Sequence, residues 1–146
     1  MRNYDVDFYA WTQEQAALLR AGKLSELDTA NLLEEIEAMG RSERAALRSN
    51  LIRLFQHLLK WRYQPSHCGK SWRLTIKEQR RRIADNLGDN PSLNHVMPEL
   101  ALAAYKTARK VAADETDLPL VTFPEDNPWT IEQALEENYF PGEHHA

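Results

Sequence analysis

The sequence predicts an all-α protein, a compact single-domain bundle of about six helices over residues 1–146, with an extended strap before a short last helix. Apolar residues recur at spacings of three and four along nearly the whole chain, as on one face of an α-helix. Short turn signals of glycine, proline and asparagine separate these stretches. A length of 146 residues and a hydrophobic fraction of 42% suit one ordinary domain.

The first two predicted helices each end at a glycine. The first runs from about Phe8 to Ala21, and Gly22 is placed to cap its end. The second follows Asp28, a good N-cap residue, and is predicted to stop at Gly40. The apolar residues expected to face the core from these helices are Trp11, Leu18, Leu19, Leu32, Leu33, Ile36 and Met39.

The third predicted helix is the longest and the central one. It begins near Ser42 and stops at Pro65, because proline lacks the amide hydrogen that would continue the helix. Its packing seam consists of Leu47, Leu51, Leu54, Leu58 and Trp61. A fourth helix is expected from a cap at Ser71 to about Leu87, and its inner face carries Trp72, Ile76, Ile83 and Leu87.

A fifth helical stretch, interrupted at about Pro98, is predicted to reach Val111. The segment after it, residues 118–129, is rich in proline and aromatic residues. A disordered linker would contain fewer apolar residues, so we expect an ordered strap laid across the bundle. Residues 127–130 are expected to form the cap and first turn of a short last helix that runs to about Glu137.

The charge is unevenly distributed along the chain. Residues 41–82 carry 12 Lys and Arg against 2 acids, whereas the rest of the chain carries 6 against 20. This basic segment either attracts an external anion or is neutralised by the molecule's own carboxylates. The overall pI of about 5.7 argues against a protein whose whole surface binds nucleic acid.

The cysteine content and the termini indicate a cytoplasmic protein. Cys68 is the single cysteine, which excludes an intramolecular disulfide and fits a reducing compartment. The N-terminus lacks the apolar core of a secretory signal, and no run approaches a membrane span, so no membrane contact is expected. The short histidine-containing tail at residues 143–146 is expected to be disordered.

Four sequence blocks together resemble the bacterial family DUF29. The blocks are Tyr4-Asp5-x-Asp7-Phe8-Tyr9-x-Trp11, Leu33-Glu34-Glu35-Ile36-Glu37-x-x-Gly40-x-Ser42-Glu43, Leu58-Leu59-Lys60-Trp61-x-Tyr63-Gln64 and Ser71-Trp72-x-x-Thr75-Ile76. The resemblance continues through Phe123-Pro124 and Phe140-Pro141. It implies a small, single-domain, all-helical protein. It implies no activity and no catalytic residues.

Any functional site is expected in the cleft between the end of the third helix and the start of the fourth. This cleft joins aromatic, cationic and imidazole side chains in the basic segment. Its candidate residues are His57, Trp61, Tyr63, Gln64, Trp72 and Arg73.

Three functions remain open at this point. The first is an interaction or adaptor domain that contacts a protein partner or a second copy through the aromatic arm Tyr4–Trp11 and the apolar tail. The second is binding of RNA or DNA through the basic aromatic segment 53–82, where exposed rings would stack on bases. The cations that would contact phosphates are Lys60, Arg62, Lys70, Arg73, Lys77, Arg80 and Arg81. The opposing interpretation places both tryptophans in the core and pairs the cations with the acidic second helix and tail.

The third function is a hydrolase or nuclease that uses His57 as an acid or base. A lone helical histidine flanked by apolar residues is more typical of packing. Glu34 and Glu37 share a helix side, but a metal would need further ligands from another helix, such as His57 or an acid of the first helix. The Glu-x-x-His pairs of helical di-metal bundles are absent, and the alternative partners of these glutamates are Arg44, Arg48 or Arg53. The glycines are scattered singly, so no phosphate-binding loop is present. We expect neither a metal nor a cofactor.

Overall fold

The computed structural model describes residues 4–142, in which α-helices and short 3₁₀ turns occur and no strand is found. The α-helices of this stretch are α1 (Phe8–Arg20), α2 (Thr29–Tyr63), α3 (Lys70–Asp89), α4 (Met97–Thr116) and α5 (Ile131–Leu135). Its 3₁₀ turns are Leu24–Glu26, Pro65–His67, Pro91–His95 and Leu120–Thr122. The all-α prediction is confirmed. The tail expected to be disordered lies outside the described residues.

The second and third predicted helices are one continuous helix, α2, of 35 residues. A glycine ends a helix when it adopts a positive φ, as Gly22 does after α1 with a φ of 73°. Gly40 is helical instead, and an interior glycine costs only about 1 kcal/mol relative to alanine. The stop predicted at Gly40 is therefore wrong, and α2 ends at Tyr63, just before Pro65.

The two later long helices differ from the prediction at their starts. Lys70 begins α3 and Gly69 is its N-cap, so Ser71 lies inside the helix and does not cap it. Pro98 does not interrupt α4 but lies in its first turn, where a missing amide hydrogen costs nothing. No described helix carries an apolar stretch long enough to cross a bilayer.

The chain divides into two compact units, Met1–Ser42 and Glu43–Ala146. In the first unit, Trp11 is buried, and its indole Nε1 donates a 2.9 Å hydrogen bond to Asp28, which precedes α2. The side chain of buried Gln15 accepts from the Asp28 backbone amide at 2.8 Å. The rings of Tyr4 and Phe8 pack against Trp11 with centroid distances of 4.8 and 5.6 Å. These three rings of the aromatic arm thus pack within their own unit.

The second unit contains the large core. Every residue of the predicted α2 seam is buried there, and Phe55 of α2 meets Tyr105 of α4 edge-on at 5.9 Å. Small side chains on α4 allow close helix approach; the buried ones are Ala101, Ala104, Ala108 and Ala112. From α3, Ile76 and Ile83 complete the core.

The predicted strap is ordered and packs on this core through Phe123 and Trp129, and Phe140 joins them from the segment after α5; all three are buried. The hydroxyl of Tyr105 donates to the Pro124 carbonyl at 2.5 Å, so α4 also binds the strap backbone. The strap therefore closes the second unit, as the sequence indicated.

Leu33 and Leu54 lie on the same helix in opposite environments, exposed by 58% and 0%. We expect Leu54→Ala to lower the free energy of unfolding by about 3 kcal/mol, because it leaves a cavity in the core. Leu33→Ala should change it by less than about 0.5 kcal/mol. Urea unfolding followed by circular dichroism measures both, and equal losses would contradict the assignment of the core.

Candidate functional site

The segment that follows α5 occupies, through Phe140, the cleft predicted between the end of α2 and the start of α3. The Phe140 ring lies 4.9 Å from that of Trp61, and both side chains are buried. The guanidinium carbon of Arg73 lies 5.0 Å from the Trp61 ring centre and 4.2 Å from that of Phe140. Arg73 thus stacks on an aromatic pair, and Trp61 belongs to the core.

Tyr63 and Gln64, at the end of α2, are half-buried and hold later segments of the chain. The Tyr63 ring meets Phe123 of the strap edge-on at 5.5 Å. The Gln64 side-chain amide donates to the Thr116 carbonyl at the end of α4, at 3.5 Å. Both contacts are structural ties between elements.

A shallow cavity of about 480 Å³ remains beside the filled cleft. Trp61, Cys68, Gly69, Lys70 and Arg73 line it. The Cys68 thiol donates to the Trp61 carbonyl at 3.4 Å. Two of the six predicted cleft residues, Trp61 and Arg73, therefore share a surface depression.

Trp72, the remaining aromatic candidate, lies under the ammonium of Lys60, 4.8 Å from the ring centre. The same ammonium donates to a Glu115 carboxylate oxygen on α4 at 2.7 Å, and Gln56 donates to that oxygen at 2.8 Å. Burial raises the pKa of Glu115, but the hydrogen bonds from Lys60 and Gln56 outweigh it and bring the pKa below its ordinary value. Lys60 is thus neutralised within the molecule.

His57 is buried in the middle of the α2 seam. Its Nδ1 lies 2.9 Å from the Arg53 carbonyl, which only accepts, so Nδ1 carries the proton and donates. Burial lowers the pKa of His57, so the imidazole is neutral at pH 7. The geometry gives His57 the role of a hydrogen-bonded packing residue.

Internal carboxylates neutralise part of the basic segment. Glu78 binds Arg81 and also Arg82, the latter at 2.8 Å. The hydrogen bond from Arg82 is the main cause that lowers the pKa of Glu78. The exposed side chains of Arg62, Lys70 and Lys77 have no carboxylate partner within residues 4–142. Some cations of the basic segment are thus paired with the molecule's own carboxylates, whereas others are exposed without such a partner.

The expected partners of Glu34 differ from those found. Glu34 pairs with Arg41 at 3.3 Å on the same helix, and Arg44 lies 3.9 Å from Glu99 of α4. The prediction assumed a chain reversal at Gly40, and without that reversal Arg44 and the later arginines lie further along the same helix. No group of three potential metal ligands converges in the described part of the chain.

Arg80 is the predicted anion contact that the structure changes most. Its side chain is 6% exposed, and its Nε and Nη1 donate to the carbonyls of Ala134 and Glu137 at 2.8 and 3.3 Å. It also lies over the Phe140 ring at 5.3 Å. Its Nη2 has no acceptor within residues 4–142, and a buried donor without a partner typically costs about 1–3 kcal/mol. Burial lowers the pKa of Arg80 to about 10.

The sequence did not reveal that Arg80 is buried, because its partners lie 54 and 57 residues away and leave no local pattern. Helical phase was the one usable signal. Arg80 follows Ile76 by four residues and precedes Ile83 by three, which places it on the inner face.

An exposed apolar row on α2 is a further feature that sequence reasoning missed. It consists of Leu33, Ile36 and Met39, which are 58%, 59% and 61% exposed. Their apolar spacing predicts burial in the core, and this prediction is wrong. A spacing of three places them on one stripe of the helix, and Glu34 and Glu37 lie along its edge. The first unit thus presents an apolar surface with acidic neighbours.

The neutral, buried state of His57 makes the stability depend on pH. Below its ordinary pKa of 6.5, the unfolded chain takes up a proton that the folded protein takes up only at lower pH. The stabilisation is complete above pH 6.5 and is lost as the pH falls towards the folded pKa. We expect the decrease in the free energy of unfolding between about pH 7.5 and about pH 5.5 to be smaller in His57→Gln than in the parent protein. Denaturant titrations at both pH values measure it.

His95→Gln is the matched control for this experiment, because His95 is exposed. It should retain the full decrease. An unchanged decrease in His57→Gln would contradict the assignment of His57 as a buried neutral residue.

The comparison with protein families agrees with the sequence blocks quoted above. The family model described as Domain of unknown function DUF29 matches residues 3–140. No curated protein matches the sequence, and no solved structure does. Because the family match covers nearly all of the 146 residues, the chain belongs to the DUF29 family.

Proposed function

We propose that this protein is an interaction domain whose apolar row binds a basic amphipathic helix of another protein. The single observation that carries the proposal is the exposure of three large apolar side chains, Leu33, Ile36 and Met39, on one stripe of α2. Burying such side chains against a partner releases about 25 cal/mol for each Å² of apolar surface removed from water. Contiguous exposed apolar surface with polar edges is typical of protein-binding sites.

The charge of the first unit determines the chemistry of the partner. Residues 1–42 carry eight acids and four bases, a net charge of −4. Glu37 borders the row without an ion pair in the described part of the chain, whereas Glu34 shares its charge with Arg41. A partner with lysines or arginines beside its own apolar face complements this surface, whereas an acidic partner is repelled.

The row also fits helical recognition in its spacing. Leu33, Ile36 and Met39 follow one another at three-residue intervals, so they span a face about 120° wide on α2, a width typical of the apolar face that a helix buries against a neighbour. A partner helix could therefore lie along α2 and contact all three. The acidic edge would attract its basic side chains and fix its orientation.

The alternatives have less support. His57 is buried and its Nδ1 is bonded to the Arg53 carbonyl, which does not favour a role as the acid or base of a hydrolase. Nucleic-acid binding loses the cations of Lys60 and Arg81 to internal carboxylates, and it loses the Trp61 ring to the core.

A labelled helical peptide with leucines on one face and lysines on the other should bind the protein, as measured by fluorescence anisotropy. Replacing the row by glutamine (Leu33→Gln, Ile36→Gln and Met39→Gln together) should raise Kd by at least about tenfold, because it removes the apolar anchors. Glu37→Gln should weaken binding less and make it less sensitive to salt.

Leu102→Gln is the matched control, because Leu102 is a 64% exposed leucine on α4 in the other unit. It should leave Kd within about twofold. Equal losses in Leu102→Gln and the row variant, or equal binding of a peptide with glutamates in place of lysines, would contradict the proposal. A dimer in light scattering that dissociates in the row variant would assign the row to a second copy and overturn the basic partner.

A further inference from the structure

A cavity of about 460 Å³ lies between α3 and the C-terminal segment, within the second unit. Lys77, Arg80 and Arg81 supply cations to its wall, and Leu135 and Ala84 supply apolar surface. Glu137 adds one carboxylate. Cavities of a few hundred Å³ with apolar walls and a few polar groups are typical of small-molecule sites.

Buried Arg80 distinguishes this cavity from an ordinary surface depression. Two of its donors are used by the carbonyls of Ala134 and Glu137, which fixes the guanidinium in place. Its Nη2 lacks an acceptor, and no carboxylate forms an ion pair with Arg80 in the described part of the chain. Nη2 itself is fully buried, so a ligand in the cavity would meet the charge of the fixed guanidinium and not this atom, and an uncompensated buried charge favours an anion beside it.

The neighbouring charges favour an anion. Lys77 is exposed and has no ion pair within residues 4–142, whereas Arg81 shares its charge with Glu78. Among the described residues that line the cavity, Lys77 and Arg80 thus remain as cations without an ion pair, against the single carboxylate of Glu137. An oxyanion would receive charge-assisted hydrogen bonds from such groups.

We infer that this cavity binds a small organic anion, with a carboxylate or phosphate head group at Lys77 and Arg80 and an apolar body against Leu135 and Ala84. A carboxylate and a phosphate offer the same oxygen acceptors to a guanidinium, and both fit this chemistry. This ligand site lies in the second unit and is independent of the proposed helix-binding function of the first.

Isothermal titration calorimetry on the full chain tests the inference with four probes: hexanoate, hexyl phosphate, inorganic phosphate and hexylammonium. Hexanoate or hexyl phosphate should bind. Inorganic phosphate should bind at least about tenfold more weakly, because it lacks the apolar body. Hexylammonium should not bind. Absence of binding by both hexanoate and hexyl phosphate at millimolar concentration overturns the inference, and so does equal binding of hexylammonium.

Substitutions in the cavity wall locate the site. Lys77→Ala and Arg81→Ala should each raise the Kd of the bound probe by about fivefold, and both residues are exposed, so the fold should persist. Glu137→Gln should lower Kd, because it removes the opposing charge and leaves the backbone carbonyl that Arg80 binds. A purely structural role of these residues predicts no such opposite changes.

Lys106→Ala on α4 is the matched control, since Lys106 is an exposed lysine that does not line the cavity, and its Kd should not change. The variant of the apolar row should also bind the probe normally, which separates this test from that of helix binding. Unchanged binding in both Lys77→Ala and Arg81→Ala would overturn the site.

Discussion

Burial of α2 between Leu47 and Trp61, on all its sides from Leu54 to Leu59, is the constraint on which the second unit depends. Every buried residue of α2 lies in this part of the helix, and none lies among its first 18 residues. The seam receives α3, α4 and the strap, whose own buried residues complete one continuous core. A single helix therefore supplies the centre of the core and, further towards its N-terminus, an apolar row that residues 4–142 leave exposed.

The sequence predicted the helices well because apolar periodicity is a local property. It failed at Gly40, where the same residue type that caps α1 at Gly22 continues a helix. A glycine permits a positive φ but does not impose one, so the surrounding residues decide the outcome. The error also misplaced Leu33, Ile36 and Met39, because periodicity identifies the side of a helix that is apolar but not whether anything covers it.

The candidate site was predictable only in part. Helical phase placed Trp61 in the seam, which favoured a core position over an exposed ring that stacks on bases, and Trp61 is buried. That Phe140 fills the cleft beside it, and that Arg80 donates to carbonyls in and just after α5, could not be inferred, because these contacts join distant parts of the chain. The neutralisation of Lys60 by Glu115 has the same origin, since 55 residues separate the two. Charge counting showed the imbalance, and only the fold shows which cations are paired.

The two proposals rest on surfaces of opposite character. The first unit is acidic and presents the apolar row, whereas the second encloses a cationic cavity beside a buried guanidinium. Both proposals follow from groups whose environment is costly in the free protein.

The exposure of the row is the central claim, and two methionines provide its most direct test. Met39 in the row is 61% exposed, whereas Met97 at the start of α4 is 4% exposed. Mild peroxide treatment of the native protein, followed by peptide mass spectrometry, should convert Met39 to the sulfoxide much faster than Met97. Equal rates, or protection of Met39, would show that the row is covered in the free protein and would contradict the account.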